Sequence, residues 1–167
     1  MNAKFELRDF VPVGIAALVV IIDQLTKLLI ISNFVLHEQQ NIIPGFFDLV
    51  YVTNTGAAFG FLAGSKSWLR QVFFVGVVIV ALAVIVYAYG HFKKQGRIFI
   101  YSLGLIGGGA IGNLIDRLRF GSVVDFLDFY LGSHHWPAFN VADSAITVGV
   151  GLFMLGTLLQ HMEENKK

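Results

Sequence analysis

Gly112-Asn113-Leu114-Ile115-Asp116-Arg117, Val124-Asp125-Phe126 and Phe139-Asn140-Val141-Ala142-Asp143-Ser144 decide how this chain is read. The stretch from 112 to 144 carries four aspartates and two asparagines and joins two apolar segments of an otherwise oily chain. Polar groups beside hydrocarbon are expensive, and are kept mainly where they do chemistry or pair with one another. The expectation is therefore that Asp125 and Asp143 form a two-carboxylate site at the outer edge of a membrane, and that the other segments hold that site.

Composition supports the membrane setting. Of 167 residues, 56% are hydrophobic and 14% charged, whereas a soluble domain carries about 25% charged residues. This length suits one compact membrane domain, residues 1–167. A net charge of +1 leaves no nucleic-acid footprint. The absence of cysteine excludes disulfides, thiolate zinc sites and cysteine nucleophiles.

Four apolar segments are long enough to cross a bilayer, which takes about 20 residues: 12–31, 69–89, 98–118 and 141–161. The first is too long for the apolar region of a secretory signal peptide, and no small-residue cleavage site follows it. The region 33–66 is too polar to span. Within it Phe46–Asn54 is aromatic and β-branched, opens on Pro44-Gly45 and reads as a strand, followed by a turn and short return at Thr55–Gly60. An isolated hairpin is only marginally stable. This one is therefore expected to rest on lipid, on Val123–Tyr130 or on substrate, and to close over the site with Asn54 above the carboxylates.

Basic residues set the orientation. Lys4, Arg8, Lys93, Lys94, Arg97, Lys166 and Lys167 lie at the two ends and in the middle loop, against Lys66, Arg70, Arg117 and Arg119 on the other side. The positive-inside rule then puts both termini in the cytoplasm. Asp23, Lys27, Asn113, Arg117 and Asp143 all fall at one depth, the outer membrane–water boundary.

Two carboxylates sharing a site do not both ionise easily, so one keeps a proton near neutral pH. The ionised one can take a proton from water while the other polarises a scissile carbonyl. On the residues alone, Asp125 capping a turn and Asp143 capping the fourth helix remain open. Asp116 and Asp128 fit the spacing nearly as well. Asp23 and Lys27 are four apart and can pair on one helix face, or Lys27 can snorkel to the interface. Asn113 and Arg117 share the same spacing, with Arg117 free to meet a neighbour of Asp116, a lipid phosphate or a carboxylate of the site.

The run Gly107–Gly112 matches the dinucleotide pattern G-x-G-x-x-G, but it lies inside an apolar span rather than after a strand. Gly104, Gly108 and Gly112 instead repeat every four residues, as close helix packing requires. His134-His135 reads as a surface loop pair, not a metal site. Phe46, Phe47, Phe59, Phe61, Trp68 and Trp136 read as interfacial aromatics. The competing class is a small proton-coupled transporter, with Asp23, Lys27 and Asp143 as a relay. It would spread polar residues through the whole membrane depth.

Asp23-x-x-x-Lys27, Val52-Thr53-Asn54-Thr55-Gly56-Ala57-Ala58-Phe59-Gly60, Gly109-Ala110-Ile111-Gly112-Asn113-Leu114-Ile115-Asp116-Arg117, Val124-Asp125-Phe126 and Phe139–Ser144 together resemble, in order, the signature blocks of lipoprotein signal peptidases (signal peptidase II). The resemblance implies an all-α membrane protein of four transmembrane helices with a small extracytoplasmic β-sheet, a cradle from about 43–63 and 122–130. It implies a bacterial inner-membrane aspartic endopeptidase that cuts prolipoproteins just before a diacylglyceryl-modified cysteine. Asp125 and Asp143 would be its catalytic pair. Asn54, Gly56, Ala58, Gly109, Asn113, Arg117, Asn140 and Ala142 would shape the site, and Asp23 and Lys27 would support it. No metal or other cofactor is implied. A monomer in contact with phospholipid, inhibited by globomycin-type cyclic peptides, is expected.

Overall fold

A computed structural model of the protein describes residues 7–56 and 67–165. After a 3-10 turn at Leu7–Phe10, the chain forms α1 (Val11–Asn33), β1 (Gln39–Ile43), β2 (Phe47–Asn54), α2 (Ser67–Phe92), α3 (Arg97–Phe120), β3 (Val123–Leu131), β4 (His134–His135) and α4 (Val141–Glu164). All four long helices are apolar and long enough to cross a membrane. A 24-residue helix such as α3 is about 36 Å long at 1.5 Å per residue, enough for a hydrocarbon core of about 30 Å. The helices extend the expected spans by at most three residues at either end, and α4 begins at the expected Val141.

The third helix is the hub. It packs against α1, α2 and α4, and its buried residues include the glycines 104, 107, 108, 109 and 112. A methyl group on Gly108 would sit 2.8 Å from the Ala16 backbone and from Val19 Cβ, and one on Gly104 would meet Pro12 and Ile15. On the opposite side, Gly149 of α4 lets the Ser102 carbonyl approach to 2.9 Å of where its Cβ would be. The four-residue glycine repeat is thus a helix-packing device, and α3 lies nearly axis to axis with its neighbours. At the end remote from the sheet, Phe153 meets Phe92 and Phe99 edge to face and Phe92 lies tilted on Phe99, with ring centroids 5.0 to 5.2 Å apart. Leu, Ile and Val side chains on α1, α2 and α4 are largely exposed, as lipid-facing surfaces are.

The strands form one antiparallel sheet in the order β1-β2-β3-β4, at the helix end shared by the C-terminus of α1 and the N-terminus of α4. Its first strand was not apparent in the sequence, because Gln39-Gln40-Asn41 has no strand pattern of its own. Pairing to β2 creates it, with Asn41 opposite Asp48 and donating to its carboxylate at 2.6 Å. The second strand begins at Phe47, one residue later than expected. His134-His135, read as a loop pair, pairs with Tyr130-Leu131. Ile30, Val124 and Phe126 fasten the sheet to α1. Ala58, Phe59, Phe61 and the expected return strand after Gly56 lie outside the described residues.

Gly108→Val tests the hub. The larger side chain has no space against α1, and overpacking of this kind costs about 1–3 kcal/mol. A clear fall in the melting temperature of the purified protein is expected, whereas Gly76→Ala, which meets nothing within 4 Å, should leave it near wild type.

Candidate active site

Lys27 is a long cation with only 2% of its surface exposed. Its ammonium has three protons, and three oxygens receive them: Asp23 Oδ2 at 2.9 Å, Asp116 Oδ2 at 2.9 Å and Asn113 Oδ1 at 3.1 Å. The expected Asp23–Lys27 pair is therefore present. Lys27 does not snorkel to the interface, because buried carboxylates on two helices hold it inside. Asp116, a rival for catalysis on spacing, is instead the second counter-ion, and Gln24 also bonds it at 2.9 Å. The sequence hint was Asp116 three residues after Asn113 on one helix face.

Each carboxylate of this cluster reaches onward. Asp23 Oδ1 accepts the N–H of Ala142 in the first turn of α4 at 2.9 Å, satisfying an otherwise unpartnered helix-end donor. Asp116 Oδ2 accepts the N–H of Val124 at 3.1 Å, next to Asp125. Because Lys27 takes the Asn113 oxygen, the Asn113 amide nitrogen turns the other way and donates to Asp143 Oδ1 at 2.7 Å.

Asn140 links both expected catalytic carboxylates. Its side-chain oxygen accepts the Asp143 N–H at 2.9 Å, and Asp143 Oδ2 returns the bond to the Asn140 N–H at 3.3 Å. This is a capping box at the start of α4. The helix-cap alternative thus holds in part: Asn140 is the cap, and Asp143 its partner three residues on. The Asn140 amide nitrogen donates to Asp125 Oδ1 at 2.6 Å and to the Val124 carbonyl at 3.1 Å. Asp125 lies within a strand and caps no turn.

Asn54, two residues along β2 from Val52, the cross-strand partner of Asp125, also hydrogen-bonds the Asp125 carboxylate. Its side-chain oxygen accepts the Gly56 N–H at 2.8 Å. Gly56 has φ +82°, and a Cβ there would overlap the Phe74 ring, so glycine is required on two counts. Gly109 allows the Ala142 carbonyl to press against α3. The Arg117 guanidinium lies 5.2 Å from the centre of the Phe74 ring. Its charge faces Asp143, Asp125 and Asp116 without a close ion pair among the described residues. Asp128, the other spacing rival, pairs with His135 at 2.9 Å.

Burial, and then the charge of Asp143, raise the Asp125 carboxyl from its ordinary 3.8 to about 7, against the opposing pull of the Asn140 and Asn54 hydrogen bonds and of Lys27. Among the described residues, no three His, Asp or Glu side chains are grouped to hold a metal ion.

Lys27→Met removes the cation that pairs with both Asp23 and Asp116. Breaking a buried pair by deleting one partner costs about 3–5 kcal/mol, so a large drop in thermal stability is expected. Adding Asp116→Asn should recover part of it, since one stranded charge is then removed; thermal unfolding of the single and double variants checks both.

Comparison with known proteins follows this geometry. Residues 15–159 match the family described as signal peptidase (SPase) II. A lipoprotein signal peptidase of Syntrophus aciditrophicus is 46% identical over 149 residues, 89% of this chain and 92% of the relative. One from Syntrophotalea carbinolica is 52% identical, over 84% of this chain and 86% of the relative. Two solved bacterial membrane enzymes, both 33% identical, superpose with TM-scores of 0.78 and 0.75, covering 95% and 100% of this chain and 97% and 96% of theirs. The transporter alternative finds no support among them. With its four apolar helices, small antiparallel sheet and buried carboxylates at one end, the chain belongs to the signal peptidase II family and is a membrane-bound peptidase.

Proposed function

We propose that Asp125 and Asp143 are the catalytic pair of an aspartic endopeptidase that removes the signal peptide from diacylglyceryl-modified prolipoproteins, cutting just before the modified cysteine. The single observation that carries this reading is Asn140, whose one side chain bonds Asp125 and the backbone of Asp143. Around it, Asn113 bonds Asp143 and Asn54 bonds Asp125. Two acidic side chains are thereby fixed in one site, and burial there raises the proton affinity of Asp125, as shared-proton chemistry requires.

In this mechanism Asp125 carries the proton and Asp143 is ionised. Asp143 takes a proton from water as the water oxygen bonds to the scissile carbonyl carbon. Asp125 gives its proton to the carbonyl oxygen, leaving a neutral gem-diol. Asp143 then passes its proton to the amide nitrogen while Asp125 recovers one from the gem-diol. The C–N bond breaks, releasing the signal peptide as an acid and the lipoprotein with a free amine. Asn54, Gly56, Gly109, Asn113, Arg117, Asn140 and Ala142 position the pair, and Asp23 and Lys27 fix them from behind. Ala58 completes the same sequence block.

The distribution of basic residues favours both termini in the cytoplasm and the site at the periplasmic face of a bacterial inner membrane. A signal peptide is an apolar helix within the bilayer, and its modified end sits at that depth. The substrate can then reach the pair sideways from the lipid, with phospholipid around a monomeric enzyme. Globomycin-type cyclic peptides would compete for the same cleft.

Asp125→Asn and Asp143→Asn are each expected to abolish cleavage of a lipidated prolipoprotein in detergent or nanodiscs. Near-normal turnover in either would remove the assignment. Folding serves as the control. Asp125 has its affinity for protons raised on folding, so its ionisation costs stability as the pH climbs from about 4 through about 7. Asp125→Asn should therefore raise the melting temperature more at pH 8 than at pH 5.

The rate should follow the same group. The protonated form of Asp125 is depleted above about 7, so kcat/KM should fall through an alkaline limb near that pH. Activity should also survive a chelator. Loss with EDTA and rescue by a divalent ion would contradict the two-carboxylate mechanism.

A further inference from the structure

Beyond Asp125 along the sheet lies a cup of about 460 Å3, lined by Gln39, Val50, Val52, Asp128, His135 and Trp136 among others, with no residue from a spanning helix and no lysine or arginine. It shares a sheet face with the site. Val52, part of its wall, is the cross-strand partner of Asp125. The Phe126 and Leu127 N–H groups both donate to the Phe139 carbonyl, at 3.0 and 2.9 Å, so two residues of β3 oppose one. Such a bulge re-aims side chains. Val124, Phe126 and Leu127 pack together toward Ile30 on the helix side, while Asp125 and Asp128, three residues apart, share the other face.

The lining of the cup carries one carboxylate, Asp128, and two histidines, His37 and His135. Asp48 and Asp128 are direct cross-strand partners, and like charges in that position destabilise a sheet. Asp48 is buried outside the cup's lining, where Gln39, Asn41 and the Tyr130 hydroxyl bond it. Among the described residues Asp128 takes a single donor, His135 Nδ1, at 2.9 Å from Oδ2 and 3.1 Å from Oδ1, although a carboxylate offers about four acceptor positions. Trp136, 69% exposed, stands at the rim, and an indole face attracts cations.

The two sides of a cleaved bond must part company here. The signal segment is apolar and stays among the spans, whereas the downstream chain leaves toward water, where the helix-free cup lies. We propose that this cup is a subsite for a basic side chain of the substrate, two to three residues beyond the modified cysteine; the assignment rests on the peptidase reading above. The spacing agrees. Asp125 and Asp128 are three positions apart along the strand, at most about 10 Å, which an extended substrate covers in about three residues. No established feature of the pair depends on Asp48, Asp128 or Trp136.

The test uses the full-length enzyme and lipidated prolipoprotein peptides identical except at the second and third residues after the cysteine, which carry Lys, Ala or Glu. Wild type should favour Lys over Glu by about tenfold in kcat/KM, mainly through KM, because a like charge is rejected by the Asp128 carboxylate. Asp128→Asn should shrink that ratio to about twofold, through loss of the same charge. Trp136→Ala, which alters an exposed side chain and keeps the proposal testable if Asp128→Asn does not fold, should reduce the ratio too. Equal kcat/KM for the three peptides with wild type overturns the subsite while leaving the peptidase reading standing. A ratio unchanged in both variants overturns it equally. Failure of wild type to cut any of the peptides brings down both readings together.

Discussion

The buried ammonium of Lys27 is the interaction on which the rest of this structure depends. Its three protons are shared among Asp23, Asp116 and Asn113, so a single side chain joins α1 to α3. Desolvating an ion in a protein interior costs several kcal/mol, and close partners with full hydrogen bonding are needed to offset it. That need fixes geometry. Asp23 cannot serve Lys27 and the Ala142 N–H together unless α4 starts where it does, and Asp116 cannot serve Lys27 and the Val124 N–H unless β3 starts where it does. The positions of Asp143 and Asp125 follow from a lysine that touches neither.

The same lysine fixes amide orientation. By claiming the oxygen of Asn113 it leaves the nitrogen for Asp143, and Asn140 is oriented by its own capping bond to the start of α4. A site built on rigid elements and supported from behind keeps its groups in place better than one built on loops. The arrangement has a cost in stability, since Asp125 is buried with its carboxyl pushed up to about 7 beside a second acid. A bundle whose hub helix is packed through glycines can bear that cost because its neighbours approach so closely.

The sheet completes this design from the water side. It is small, and it would be marginal alone; Ile30, Val124 and Phe126 pin it to α1. The bulge in β3 turns consecutive apolar residues toward the helices and leaves Asp125 and Asp128 on the open face. One irregularity in hydrogen bonding thus links the proposed catalytic pair to the proposed downstream subsite.

Apolar runs, the glycine repeat and the clustering of Asp, Asn and Arg at one depth were legible in the sequence because they follow from local rules. A span needs length and hydrophobicity, close packing needs small residues every fourth position, and buried polar groups need company. The residues Asp23, Lys27, Asn113, Arg117, Asp125 and Asp143 were named on that basis, whereas Asn140 entered the site only through the family resemblance. Which acid does what was not legible. Spacing left Asp116 and Asp128 as near equals of Asp125 and Asp143, and only the fold gave Asp116 to Lys27 and Asp128 to His135. Strand β1 was likewise invisible, because Gln39-Gln40-Asn41 becomes a strand only when β2 supplies its hydrogen bonds. Local pattern determines which residues must avoid lipid; partners distant in sequence decide what each of them is bonded to, because a hydrogen bond is settled by the whole set of donors and acceptors that folding brings within reach.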